Sequence, residues 1–233
     1  MKALIIGANS DIAFELAKIW SSRSYELFLA VRNTELFESR CSEAKLSNYH
    51  ILSFDASKDE SIDSIKSSEI EPDVVLFAHG ILDEAESANL VEYWKVNYLS
   101  IARLSEHYCQ QMAKKRMGSI LAIGSVAGLR GRASNFHYGA SKAALHTLFS
   151  GLRNKWSKNG VQVSLILPGP IQTKMTANIE LKSPLVASAI KAAKDIDKAF
   201  LKKKDISYNP WYWRYIMIVI RSIPEFIFKK LNL

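Results

Sequence analysis

Short β-branched and aliphatic runs punctuate the first 170 positions: Ala3 to Ile6, Glu26 to Val31, Tyr49 to Phe54, Asp73 to Ala78, Ser119 to Gly124 and Val161 to Leu167. They are apolar almost throughout instead of alternating, the pattern of strands covered on both faces. Five stretches of helix length lie between them. Strand and helix alternate in this way when right-handed crossovers build a parallel sheet. The spacing therefore predicts an α/β fold, a doubly wound parallel sheet of six or seven strands with helices on both faces.

From Pro168 onward the pattern changes. Pro168, Gly169 and Pro170 break the chain, Lys182 to Lys204 is lysine-rich with apolar residues at roughly helical spacing, and Asn209-Pro210 makes a second break. Beyond it, β-branching alone would allow a strand over Ile216 to Ile220. The placing of Trp213, Met217, Ile220 and Phe228, with Arg214 and Arg221 between them, fits helices interrupted at Pro224, and helix is the favoured reading. The sheet would then have six strands. With no internal repeat and no interdomain linker before Pro168, residues 1–180 are expected to form the core, and 181–233 a substrate lid and helical C-terminal extension of the same single domain.

Composition supports one globular domain: 233 residues, 48% hydrophobic and 23% charged. The net charge of +8 is unevenly placed, since residues 1–180 hold 20 Lys and Arg against 19 Asp and Glu, and residues 181–233 hold 11 against 4. A nucleic-acid-binding body would carry its basic footprint on the folded domain, and here the body is almost neutral. The basic tail also holds Trp211, Tyr212, Trp213, Tyr215 and the run Ile216 to Ile220, a mixture suited to an anionic lipid surface. The apolar stretch between Arg214 and Arg221 is far short of the about 20 residues a spanning helix needs. These aromatics could equally pack over a substrate cleft or across a dimer interface. Cys41 and Cys109 are far apart without neighbouring ligand residues, so no metal site or disulfide framework is expected. With only a short apolar run at the N-terminus, the expected location is cytoplasmic, with the inner face of a membrane as the alternative.

Chemistry-bearing residues fall at the strand ends. The first strand runs into Gly7-Ala8-Asn9-Ser10-Asp11-Ile12-Ala13 and then a helical pattern, so a tight glycine turn and helix N–H groups could receive a phosphate. Asp11 and Ala13 stand where a dinucleotide fingerprint would have glycines, and an ordinary strand-to-helix turn fits this segment too. Arg32 ends the second strand, where an acid would suit NAD and an arginine suits the 2′-phosphate of NADP. Asp55, after the third strand, could accept from an adenine amino group or cap the following helix. The strongest constellation is Ser125, Tyr138 and Lys142, with Asn97 upstream. Tyr138 and Lys142 share a helix face, and an ammonium there is expected to lower the phenol pKa toward the working pH. Ser125 closes the fifth strand at the sheet edge where ligands bind in such folds.

Tyr138-Gly139-Ala140-Ser141-Lys142, preceded thirteen residues earlier by Ser125, resembles the Tyr-x-x-x-Lys motif of the short-chain dehydrogenases/reductases, and the resemblance covers residues 1 to about 175. It implies a Rossmann-like sheet and an NAD(P)-dependent enzyme. Tyr138 would protonate a substrate carbonyl, Lys142 would bind the nicotinamide ribose, Ser125 would hold the carbonyl, and Asn97 would bend its helix and anchor a proton-relaying water. Gly7, Asn9, Ser10, Asp11, Ile12, Arg32, Asp55, Ala78, Gly80, Tyr138, Lys142, Pro168, Gly169, Ile171 and Thr173 would line the cofactor, with NADP(H) favoured over NAD(H). Family dimers pair the helices that carry Asn97 and Tyr138, which makes a homodimer the default.

The sequence departs from the family at several points. Ala78-His79-Gly80 replaces the usual Asn-Ala-Gly, with His79 expected to be a satisfied structural residue. Asp11 would repel phosphates unless its carboxylate points away or caps the helix, and no pattern for the family's usual last strand is read after residue 175. The loop Gly-Ala-x-Ser-Asp-Ile-Ala, the Ala-His-Gly step and the tail also resemble reductases of polyprenyl-phosphate-linked keto-sugars. The expected function is NADPH-dependent reduction of a small-molecule or lipid-linked carbonyl, a keto-sugar or lipophilic ketone, with peripheral membrane contact through the tail. The alternative is a cofactor-binding regulatory or membrane-recruited protein that has lost turnover.

Overall fold

The computed structural model describes residues 1–82, 89–177 and 185–231. Each apolar run forms a strand: β1 (Lys2–Ile6), β2 (Glu26–Val31), β3 (Tyr49–Ser53), β4 (Val74–Phe77), β5 (Gly118–Ile123) and β6 (Val161–Pro168). Two short strands, β7 (Ile171–Gln172) and β8 (Ala187–Ser188), pair only with each other. A further strand, β9 (Ile206–Asn209), pairs in parallel with β6, placing Ile206 beside Leu165 and Asn209 beside Pro168. The main sheet therefore has seven parallel strands in the order β3-β2-β1-β4-β5-β6-β9. This corrects the six-strand expectation. The last strand was hidden because it alternates apolar with polar residues and follows the charged run Lys202-Lys203-Lys204-Asp205.

Helices cover both faces. On one lie α1 (Asp11–Ser22), α2 (Thr34–Glu43) and α7 (Ala189–Leu201), and on the other α3 (Asp59–Ser67), α5 (Ser100–Lys115) and α6 (Phe136–Trp156), with α4 (Leu90–Trp94) leading into α5. Strand side chains divide accordingly: Ala3 and Ile5 join Leu16, Trp20 and Ile196, whereas Leu4 and Ile6 join Ile101, Leu104, Leu145 and Phe149. Two-sided burial explains the unbroken apolar runs. Both cysteines are buried and unpaired, one in each layer. Asp197 on α7 is buried but matched, accepting both guanidinium nitrogens of Arg23 at 2.7 Å and the Trp20 indole N–H at 3.2 Å, which ties α7 to α1.

The tail continues as α8 (Trp213–Ser222) and α9 (Glu225–Phe228), so Ile216 to Ile220 is helical as favoured. Trp213 and Met217 enter the core on the α6 side. The opposite side of α8 leaves Tyr215, Ile218 and Val219 exposed, together with Trp211, Phe226 and Ile227 around it. No helix among the described residues is long and apolar enough to cross a membrane. The expected boundary at 180/181 and Lys182 lie outside the described residues.

Candidate active site

Strand order reverses between β1 and β4, and at such a switch point the carboxyl ends of the strands open a crevice between diverging loops. Gly7 begins the first loop with φ +84°, and a Cβ there would lie 2.5 Å from the backbone nitrogen of His79, so only glycine permits this turn. Its N–H and that of Ala8 donate to Ala30 O at 2.9 and 3.2 Å. Ser10 then starts α1 without a side-chain cap, leaving the first helical N–H groups to an external acceptor.

Asp11 does not cap its own helix. One carboxylate oxygen accepts from Arg40 Nη2 at 3.1 Å and the other from the backbone N–H of Lys174 at 2.8 Å. Ile12 is turned into the core, so its backbone alone faces the loop. At the end of β2, Arg32 is exposed, while Asn33 caps α2 by accepting from Leu36 N–H at 3.0 Å. At the end of β3, Asp55 accepts from the N–H and hydroxyl of Ser57 at 3.0 and 2.7 Å. Burial acts to raise its pKa, but these bonds and the nearby Lys58 and Arg32 outweigh it and hold the carboxyl below its usual value.

From β4, Ala78 is buried and its N–H bonds to Ile6 O at 2.8 Å. The His79 ring meets Ser100 Oγ at 2.8 Å and packs edge-on against Phe54 and Phe77, and burial pushes its pKa down to about 4. This bond joins β4 to α5 where the family's asparagine is absent. Gly80 leaves room for what comes next: a Cβ there would stand 3.0 Å from Asn97 Oδ1 and 3.4 Å from Lys142 Nζ. Asn97, fully buried in a π-helical turn (Lys95–Leu99), accepts from Ile81 N–H at 2.8 Å and donates to Ile81 O at 3.0 Å. A π-helical turn of this kind locally widens the helix that Asn97 was expected to bend.

Lys142 Nζ donates to Ile123 O at 3.1 Å and lies 5.6 Å from the Tyr138 ring centroid. Ser125 Oγ accepts from Ala127 N–H at 3.1 Å, which leaves its own proton free, and its hydroxyl faces the Tyr138 phenol. Ser125, Tyr138, Lys142 and Asn97, drawn from the turn after β5, from α6 and from the π turn, thus converge at one end of the sheet. The expected lowering of the phenol pKa is not what the structure gives. Burial raises Tyr138 to about 12 against the opposing pull of Ser125, and burial alone brings Lys142 down to about 8. Enclosure penalises both charged forms more than the lysine stabilises the phenolate.

The wall after β6 is more occupied than its sequence suggests. Ile171 is in the core, and Thr173 is engaged in a capping box with Thr176. Pro168 is buried and Gly169 faces the tail: a Cβ there would fall 2.1 Å from Trp213 Nε1. Two residues not singled out from sequence, Arg40 and His146, join the site together with Trp213 of the tail. Arg40 holds the first loop, Trp213 covers Gly169, and His146 Nε2 lies 3.2 Å from Ser125 O. For His146 a signal existed, since Tyr138, Lys142 and His146 recur every four residues on one helix.

The crevice fits a dinucleotide. It offers uncapped helix N–H groups, a glycine turn that nothing larger could make, and a buried ammonium beside a glycine that keeps the space open. Residues 1–184 match the family model described as short chain dehydrogenase. The uncharacterized oxidoreductase Rv2073c of Mycobacterium tuberculosis is 25% identical over 98% of this chain and 96% of its own length. Among solved structures, a short-chain dehydrogenase from Sphingobium yanoikuyae in complex with NADPH superposes with a TM-score of 0.79 at 20% identity, covering 96% of each chain. The bulky-bulky ketone specific alcohol dehydrogenase of Comamonas testosteroni gives a TM-score of 0.81 at 19% identity, over 96% of this chain and 95% of that one. With its parallel sheet, its glycine turn and its Ser125, Tyr138 and Lys142 grouped at the crevice, the chain belongs to the short-chain dehydrogenase/reductase family and is an NAD(P)-dependent oxidoreductase.

Proposed function

We propose that this enzyme reduces the carbonyl of a keto-sugar, lipid-linked, or of another lipophilic ketone, with NADPH and at the surface of a membrane. The observation that carries the reductive reading is the half-buried Tyr138 phenol, which burial holds protonated and which Ser125 faces. When bound, the cofactor supplies a hydride to the carbonyl carbon. Tyr138 gives its proton to the carbonyl oxygen, and Ser125, whose oxygen already accepts from Ala127, directs its free O–H to the same atom. Lys142 stabilises the resulting phenolate and holds the nicotinamide ribose. Asn97 fixes Gly80 and Ile81 beside Lys142, and its widened turn holds the water that returns the proton.

NADP is favoured by Arg32 at the end of β2, where no acid stands to meet a ribose 2′-hydroxyl. The outer faces of α5 and α6 leave a groove of about 440 Å³, lined by Tyr98, Ala144, Leu148 and Gly151, that suits a homodimer. Support for a membrane comes from the exposed apolar side of α8, flanked by Arg214, Arg221, Lys229 and Lys230. The tail's one acid beyond Asp205, Glu225, is already paired with Arg130 at 2.6 Å. Arg130 also stacks on Phe228 at 4.1 Å and follows Ser125 by five residues, so this surface adjoins the catalytic loop.

Tyr138→Phe separates an enzyme from a silent cofactor-binding protein. Loss of ketone reduction by about 10²–10⁴-fold with NADPH binding retained is expected for a general acid. Unchanged turnover, or none in the wild type on any carbonyl despite cofactor binding, contradicts the reading.

A further inference from the structure

An acid inside a phosphate-binding loop is a physical problem, because Asp11 occupies a place where a family member has glycine and where a pyrophosphate approaches. The structure answers it with a residue from another element. Arg40 on α2 spans the outside of the loop: Nη1 donates to Asn9 O at 2.9 Å and to Asn9 Oδ1 at 2.8 Å, and Nη2 donates to Asp11 Oδ1 at 3.1 Å. Its guanidinium lies 3.9 Å over the Phe14 ring, which fixes the plane of the fork. Both charged side chains are mostly covered, 25% and 18% exposed, so their attraction is less screened than at an open surface. The second carboxylate oxygen of Asp11 is free of Arg40 and accepts from Lys174 N–H on the far wall of the crevice, 163 residues along the chain.

We propose that Arg40 is a positioning residue for the cofactor, which neutralises Asp11 and fixes Asn9 so that the phosphate loop can carry an acid and use it to tether the loop at Thr173 and Lys174. The inference rests on the crevice being the NAD(P) site. Without Arg40, the carboxylate faces the incoming pyrophosphate uncompensated. Without the carboxylate, Arg40 is no longer needed as a counter-charge.

The test is NADPH binding by the full chain, read by nicotinamide fluorescence with no substrate present. Arg40→Met is expected to weaken binding about ten- to a hundredfold, the scale of one uncompensated charge near phosphates. Asp11→Asn keeps an acceptor for Lys174, removes the charge that Arg40 offsets, and serves as the background for the double variant. The double variant Asp11→Asn/Arg40→Met is expected to recover most of the loss, which a purely structural arginine would not allow. Arg40→Lys, with the charge but not the fork, is expected to lose less than Arg40→Met, and serves as the test if Arg40→Met does not fold. A double variant as weak as Arg40→Met, or an Arg40→Lys that loses as much, overturns the proposal. Wild-type protein that fails to bind NADPH and NADH alike would instead contradict the assignment of the crevice.

Discussion

Burial acts on Lys142 and Tyr138 in opposite directions, and this opposition makes the pair useful for proton transfer. With its phenol near 12, Tyr138 would enter the proposed reduction as an acid, while Lys142 near 8 is poised to lose or hold its charge close to physiological pH. The lysine has a cost in stability whose sign follows from its shift. Its folded pKa lies below the unfolded value near 10.5, so between about pH 8 and 10 the unfolded chain binds more protons and stability rises with pH. The full effect is on the order of 3 kcal/mol for one such group. Lys142→Met should remove that rise and increase the thermal midpoint at pH 7, as replacing a buried charge by an apolar side chain often does. Equal pH slopes for the wild type and Lys142→Met, measured by denaturant titration from pH 7 to 10, would contradict the assignment. At this scale the sequence disclosed residues with a local motif, such as Tyr138 and Lys142. It did not disclose Arg40, whose partners Asn9 and Asp11 lie about 30 residues away and meet it only after β2 and α2 have folded.

Between elements, Gly169 and Trp213 define how the tail meets the core. The indole fills the space that a side chain at 169 would need, and Gly169 N–H donates to Asn209 O at 2.9 Å beside it. Gly169→Ala must move either the backbone or a buried indole, and overpacking of this kind costs about 1–3 kcal/mol. Trp213→Ala should relieve it, so the double variant should be less destabilised than the sum of the singles. Additive losses in equilibrium unfolding would show that the two do not press on each other. The first six strands were legible because their residues form nearly continuous apolar runs, which burial on both faces explains for the inner strands. β9 was not, since its four residues alternate apolar with polar and form no apolar run, and its register depends on β6. The helical tail was legible from the spacing of Trp213 and Met217, which are the residues buried on α8.

Over the whole molecule, the basic excess has a location and a shape. It lies in the part of the chain that supplies α7, β9 and the tail helices, and the tail presents an apolar outer side rimmed by lysine and arginine. β9, Trp213 and Met217 join the tail to the sheet and core, so charge reversal is a cleaner probe of this surface than truncation. The central claim, a reductase that meets a lipophilic carbonyl at an anionic membrane, is tested most directly by NADPH oxidation across soluble and lipid-linked ketones, with and without anionic liposomes. The account predicts turnover of a lipid-linked or long-chain ketone, faster with anionic liposomes, with that gain lost in Arg214→Glu/Lys229→Glu/Lys230→Glu. Good turnover of a small soluble ketone, beside none of any lipid-linked or long-chain one and no response to liposomes, would contradict it.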